Sequence, residues 1–191
     1  MRTHAPEALV TDATSIGLVA DNHSANAEGA DLPSGVLEAF ADVGLVIHCG
    51  DSGDRGALDR LEEAAPVVGV TGDHNPEGED PRIRGATAVV RAGRTRIGVV
   101  HHIEPAPGGR ELAPSLVLPH AAGDYLADLF GGPIDVLAIA GSHEPYVFEH
   151  DGVLIVNPGS PTLPAGPDPR PTVAVLSLAG PTPTARIVAL D

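Results

Sequence analysis

Lysine is absent from this chain: all eleven basic residues are arginine, so a phosphate-binding loop built on the P-loop lysine is excluded. Against 26 acidic residues the formal net charge is −15. Such a surface lacks the basic patches that hold nucleic acid or an anionic membrane. Tryptophan is absent too, and the aromatics are Phe40, Tyr125, Phe130, Tyr146 and Phe148 only. That scarcity argues against a stacking platform for nucleic-acid bases. The lone cysteine, Cys49, has no internal disulfide partner, which points to a reducing cytoplasm and a packing role in the core. No apolar run approaches the ~18 residues of a membrane span. The opening residues, Met1-Arg-Thr-His-Ala-Pro-Glu7, lack the basic start and apolar stretch of a secretory signal, so a soluble cytoplasmic protein is expected.

What remains is a globular composition, 42% hydrophobic over 191 residues, enough for one domain with a proper core. Residues 1–14 show no apolar period and read as a flexible lead-in. Residues 15–191 read as a single domain. Helix patterns fall at 33–40, with Ser34 as the expected N-cap, at 55–64, and at 121–130 before Gly131-Gly132-Pro133. Strand patterns fall between them, and then closely spaced at 86–90, 95–100, 146–148, 153–156, 172–176 and 185–189. Gly93-Arg94 reads as a hairpin turn, and residues 161–171, with five prolines, as a loop. The alternation predicts an α/β fold, two sheets with helices outside.

Five apolar runs end abruptly in Asp or His. Ile16–Ala20 runs into Asp21-Asn22-His23, and Leu45–Ile47 into His48-Cys-Gly-Asp51. Val67–Val70 leads to Thr71-Gly-Asp73-His74-Asn75, Ile97–Val100 to His101-His102, and Val136–Ala140 to Gly141-Ser-His143. In an open α/β sheet such strand ends share one edge, where ligands bind. Asp and His gathered there suit divalent cations, and a carboxylate-bridged metal site suggests phosphoester hydrolysis. The two-residue spacing of Asp21 and His23 puts both side chains on one side of an extended segment, able to chelate one ion.

With these motifs in order, the chain resembles the calcineurin-like metallophosphoesterases, in particular their small bacterial and archaeal phosphodiesterase branch, which also contains the retromer scaffold subunit. The matching pieces are Asp21-Asn-His23, Gly50-Asp51-Ser-Gly-Asp54, Gly72-Asp73-His74, His101, Ser142-His143 with Pro145, and Asn157-Pro-Gly-Ser160. The resemblance spans roughly residues 15 to 190. It implies a four-layer αββα sandwich, two mixed β-sheets flanked by helices, with two divalent ions on one edge. By that likeness Asp21, His23, Asp51 and His143 hold the first ion. Asp51 bridges to a second, held also by Asp73 and His101. Mn²⁺ is preferred for the mixed carboxylate–imidazole shell, with Fe, Zn, Ni and Co as alternatives. A hydroxide between the ions then attacks phosphorus in line.

The chain departs from the family pattern twice. Asp73 stands where the family has Asn, with Asn75 where an acidic residue is usual. Aligned on Pro145, Gly141 stands where the first histidine of Gly-His-Thr-His belongs. The second ion thereby loses an imidazole, for which Asp73 is expected to compensate in part, with His102, Glu144 or water as candidates for the vacated place.

His74 takes the place of a family histidine that protonates the leaving alcohol or contacts phosphate. Of the adjacent pair, His101 is the expected ligand, since alternation sends His102 to the other face. His48 reads as a buried, hydrogen-bonded residue, and His4, His120 and His150 as surface residues. Arg82, Arg84 and Arg110 are surface arginines within conceivable reach of a substrate phosphate. The expected activity is hydrolysis of a small phosphoester, more readily a phosphodiester, by a protein that could form a homo-oligomer. The rival expectation, favoured by Gly141, is a scaffold that keeps the fold and binds other proteins.

Overall fold

In the computed structural model, residues 7–75, 79–105 and 108–190 are described. Two mixed sheets face one another. In the first, β1 (Leu9–Thr11), β5 (Thr87–Ala92), β6 (Thr95–Val100), β9 (Val136–Ala138), β11 (Val153–Asn157) and β10 (Tyr146–His150) lie in that order. In the second the order is β13 (Thr184–Ala189), β12 (Thr172–Ser177), β2 (Ser15–Val19), β3 (Leu45–His48) and β4 (Val67–Gly69). The parallel pairs β2–β3, β3–β4, β6–β9 and β9–β11 align their carboxyl ends. This alignment delivers the Asp and His segments to one edge of the sandwich.

Three apolar layers make the sandwich four-layered. Ile16, Leu18, Ile47 and Val68 from the second sheet meet Val90, Ile97, Val99, Val136 and Val156 from the first. Outside the second sheet, α1 (Ser34–Ala39) and α2 (Arg55–Leu61) bury Val36, Leu58 and Leu61 against Val19, Val46 and Val173. Outside the first, α3 (Ala122–Phe130) buries Leu126 and Phe130 against Val89, Leu137 and Ile155. Each such side chain contributes about 1.5–3 kcal/mol on burial. The central strands β2, β3, β4 and β9 are buried on both faces, and therefore read as continuous apolar runs rather than as alternating ones.

Strand glycines let the outer helices approach. A Cβ at Gly17 in β2 would lie 2.8 Å from the Phe40 ring, and one at Gly98 in β6 would lie 2.7 Å from the Phe130 ring. The two outer layers thus use the same device: an aromatic at a helix end sits over a bare strand position.

Local signals explain the helix limits. The Asp54 carboxylate accepts the Gly56 N–H at 3.0 Å and starts α2. Gly131, at φ +67° in the left-handed region, ends α3. At α1 the expected cap is displaced by one residue. Ser34 is the first helical residue and Pro33 is the cap, because the Pro33 carbonyl accepts the Val36 N–H at 3.0 Å and closes the first turn there.

Two elements depart from the sequence reading. Residues 9–11, within the stretch read as lead-in, form β1, whose Leu9 pairs with Val90 of β5. Three residues are too few to show a period. A separate hairpin, β7 (Arg110–Ala113) and β8 (Leu116–Leu118), buries Leu116 and Leu118 against the α3 layer. No helix among the described residues is long and apolar enough to cross a membrane.

Candidate metal centre

The loops beyond β2 and β3 remain paired after the strands end. Asp21 N–H donates to the Gly50 carbonyl at 3.0 Å, His23 N–H to Asp51 O at 3.0 Å and Ser24 N–H to Ser52 O at 3.1 Å. From the other side the hydroxyl of Ser160 donates to Asp21 O at 2.8 Å, and that of Thr162 to Asn22 O at 2.6 Å. The Asp21–His23 segment is therefore fixed along both edges.

Four side chains leave this frame from an unusual backbone. Asp21, His23, Asp51 and His143 all lie in the left-handed region, at φ +54°, +46°, +57° and +58°. For a non-glycine residue that conformation costs roughly 1–2 kcal/mol. Strain of this kind concentrates where side chains must be aimed. Here it turns all four toward one volume.

Within that volume Asp51 Oδ2 lies 3.4 Å from His23 Nε2, 3.4 Å from His74 Nδ1 and 3.4 Å from His101 Nε2. Asp51 Oδ1 accepts the His74 N–H at 2.8 Å. Asp21 Oδ2 accepts the Gly141 N–H at 3.1 Å. Asp21 Oδ1, by contrast, is buried with no hydrogen-bond partner, 3.9 Å from His101 Nε2 and 3.8 Å from His143 Nε2. His23 Nε2 and His143 Nε2 are 3.3 Å apart.

Two backbone carbonyls fix the histidine tautomers. His101 Nδ1 sits 3.0 Å from Cys49 O, and His143 Nδ1 sits 2.8 Å from Leu163 O. A carbonyl only accepts, so both Nδ1 atoms carry the proton and both Nε2 atoms present lone pairs inward. Metal-ligating imidazoles are held in this way.

Electrostatics match that arrangement. Burial raises the Asp21 carboxyl above its ordinary range, although His101 and His143 pull the other way. Burial also pushes Asp51 up, but the His74 N–H, His101 and His23 together outweigh it and leave its carboxyl depressed. Desolvation lowers His23, against the opposing pull of Asp51. A buried Asp21 oxygen facing two imidazole lone pairs has no partner in the protein alone. A cation is the partner this donor set fits.

Groups able to hold one ion are Asp21–His23–His143, His23–Asp51–His74, Asp21–Asp51–His101 and Asp73–His101–His102. Five of the expected residues, Asp21, His23, Asp51, His101 and His143, thus meet directly. Asp73 is exposed on the rim and shares a group with His101, not with Asp51. Asn75 does not face the centre, because its Oδ1 closes the turn on the Gly72 N–H at 2.7 Å. His74 lies toward solvent, its ring 4.8 Å from that of His23.

His48 is fully buried, and its Nδ1 accepts the Gly50 N–H at 3.2 Å. Desolvation holds it down at about 3. It therefore supports the turn before Asp51 and takes no direct part. Cys49 is buried, and its thiol is pushed well up by desolvation, so it is not an activated nucleophile. His120 is exposed and His150 half-buried near Asp151, while His4 lies outside the described residues. Arg82 is not free for substrate, being held by Asp80 at 2.7 Å, Asp59 at 2.7 Å and Glu62 at 3.0 Å.

Sequence reasoning missed the supporting atoms: the carbonyls of Cys49 and Leu163, the Gly141 N–H, and the Ser160 and Thr162 hydroxyls. Only Ser160 had a signal, in Asn157-Pro-Gly-Ser160, and that string does not reveal which loop it grips.

The calcineurin-like phosphoesterase superfamily domain matches residues 15–180. A probable metallophosphoesterase of Methanothermobacter thermautotrophicus is 32% identical over 176 residues, covering 91% of this chain and 91% of that protein. Among solved structures, vacuolar protein sorting 29 from Cryptosporidium parvum superposes with a TM-score of 0.70 at 22% identity, covering 95% of this chain and 93% of that one. A structure described as a novel archaeal phosphodiesterase gives 0.61 at 20% identity, over 91% and 99%.

Proposed function

The chain belongs to the calcineurin-like phosphoesterase superfamily, and on that footing we propose that it is a metal-dependent phosphodiesterase acting on a small phosphoester in the cytoplasm. One observation carries the proposal. The His143 Nε2 lone pair, fixed by the Leu163 carbonyl, meets His23 Nε2 at 3.3 Å beside the unpartnered Asp21 Oδ1.

In this reading Asp21, His23, Asp51 and His143 hold a first divalent ion, and Asp51, Asp73 and His101 a second. Mn²⁺ is preferred, with Fe, Zn, Ni and Co as alternatives. Divalent ions so held supply Lewis-acid stabilisation of phosphoryl charge and a water of lowered pKa.

The chain's own residues do the rest. Asp51, kept ionised by the His74 N–H and the neighbouring imidazoles, sits between the groups as a bridge. Asp21 is fixed by Gly141 and cannot swing away. His74, at the solvent face and 3.4 Å from Asp51 Oδ2, is placed to hand a proton to the departing alkoxide oxygen. Such a general acid is worth about 10²–10⁴ in rate.

The test is metal content per chain with and without added Mn²⁺, beside turnover of bis-p-nitrophenyl phosphate and p-nitrophenyl phosphate. The expected result is bound metal, faster cleavage of the diester, and loss of both in Asp51→Ala and His143→Ala. A protein that binds no ion and turns over neither ester overturns the reading. The bare Gly141 and exposed Asp73 favour a second reading, a scaffold with a weakened centre. That reading requires a bound protein partner and no turnover.

A further inference from the structure

We propose that His102 completes an outer ion-binding locus with Asp73 and His101, a proposal that rests on the metal-dependent reading above. Each of these residues offers a ligand atom, and the three atoms lie within 4.8 Å of one another. Three ligand atoms about 2.1 Å from a common ion lie ~3.4–3.6 Å apart. The triad therefore closes on a cation when the exposed Asp73 and His102 side chains draw in by about 1 Å. His101 also belongs to the inner group with Asp21 and Asp51, which makes the outer locus continuous with the inner one.

Position 141 explains why His102, rather than Glu144, takes the vacated place. Gly141, at φ +83°, leaves its side-chain space bare: a Cβ there would lie 3.6 Å from His101 Nε2 and 3.7 Å from the His102 Cβ. The space bordering the ligand nitrogen of His101 is thus bordered also by His102. The His102 ring meets the His101 ring edge to face at 5.7 Å. Its Nε2 lies 3.3 Å from Glu104 Oε1, a carboxylate of the kind that orients a ligating imidazole. Glu144, the other nearby donor, is turned away toward Gly166, where a Cβ would touch its Cγ and Cδ at 2.9 Å.

A cavity of about 310 Å³ opens in front of Asp73, His101 and His102, walled also by Ile103, Tyr125 and Leu129. The outer locus therefore keeps an open side, as a catalytic ion requires and a closed structural site does not.

The experiment is Mn²⁺ titration by calorimetry, with ion counting, on wild type, His102→Ala, His143→Ala and the double variant Gly141→His/His102→Ala. His102 is exposed, so its replacement does not threaten folding. The expected result is two sites in wild type. His102→Ala should weaken the outer site by about 10-fold or more and leave the inner one unchanged. His143→Ala should weaken the inner one. The double variant should recover the outer site, because an imidazole at 141 enters the space His102 borders. Two unchanged sites in His102→Ala would overturn the proposal and leave the phosphoesterase reading standing. A wild-type protein with a single site that only His143→Ala weakens would do the same. No site at all in wild type would overturn both.

Discussion

His143 offers a direct test of whether backbone strain holds the centre open. It sits at φ +58°, so His143→Ala leaves an alanine in a conformation that costs roughly 1–2 kcal/mol. Glycine at the same place carries no such strain. Its greater freedom in the unfolded chain gives back about 0.5–1 kcal/mol. The imidazole and its bond to the Leu163 carbonyl are lost equally in both variants and cancel. His143→Gly should therefore be more stable than His143→Ala by about 0.5–1 kcal/mol, or roughly 1–4 °C for a chain of this size. At exposed Arg186 in the edge strand β13 the order should reverse, since glycine there loses entropy and relieves nothing. Chemical denaturation of chelator-treated protein supplies the measurement. The strain argument fails if the alanine variant is the more stable at 143 by the same margin as at 186.

Three further outcomes follow from the same geometry. The folded His48 resists protonation down to about 3 while the unfolded imidazole titrates at 6.5, so its stabilisation is full above pH 6.5 and drains away as pH falls toward 3; about 3 kcal/mol should be gone by pH 4. His48→Asn, which can still accept the Gly50 N–H, should lose less stability than wild type between pH 7 and pH 4, and identical slopes would refute this. Burial raises Asp21 above the usual carboxylate value of 3.8, a penalty that grows as pH rises past 3.8 and persists above the raised value. Asp21→Asn should accordingly unfold later than wild type at pH 7 in chelator, by about 1 kcal/mol, yet gain less from Mn²⁺ than wild type does; earlier unfolding in chelator would contradict the desolvation argument. Gly98→Ala drives a methyl into the Phe130 ring and should cost about 1–3 kcal/mol in thermal unfolding, whereas an unchanged midpoint would mean that the outer helix is free to retreat.

The architecture was legible because the parallel strands are buried on both faces and appear as plain apolar runs: Val46-Ile47 and Leu137-Ala138 could hardly be anything else. Their Asp and His endings were legible for the same reason, since a polar residue directly after such a run must stand at a sheet edge. Sequence could not show what fixes those residues. Whether Asn75 or Asp73 faces the centre depends on a turn in which Asn75 caps the Gly72 N–H. The tautomers of His101 and His143 depend on carbonyls 52 and 20 residues away, and no spacing rule connects those pairs. Ser34 failed as a cap by one position because the Pro33 carbonyl already closes the turn. The strand at 9–11 and the hairpin at 110–118 were too short and too irregular to show a period.

The strained backbone bears on the choice between enzyme and scaffold. Four non-glycine residues in the left-handed region, at about 1 kcal/mol each or more, amount to ~4 kcal/mol in a domain whose net stability is of order 5–15 kcal/mol. A buried carboxylate oxygen without a partner adds to the burden. A protein surface used only for docking gains nothing from either, because Asp21 and Asp51 are almost wholly buried and offer no contact area. A bound cation does gain from both. It would partner Asp21 Oδ1, and at 1,000 times its dissociation constant it would stabilise the fold by about 4.1 kcal/mol, enough to offset the strain. Cation binding thus gives the distorted frame a physical counterweight, and a scaffold without metal gives it none. Mn²⁺ should therefore raise the unfolding midpoint by roughly 8–16 °C at that excess, and by much less in His143→Ala. A wild-type midpoint indifferent to every divalent ion would remove the counterweight and with it the case for catalysis.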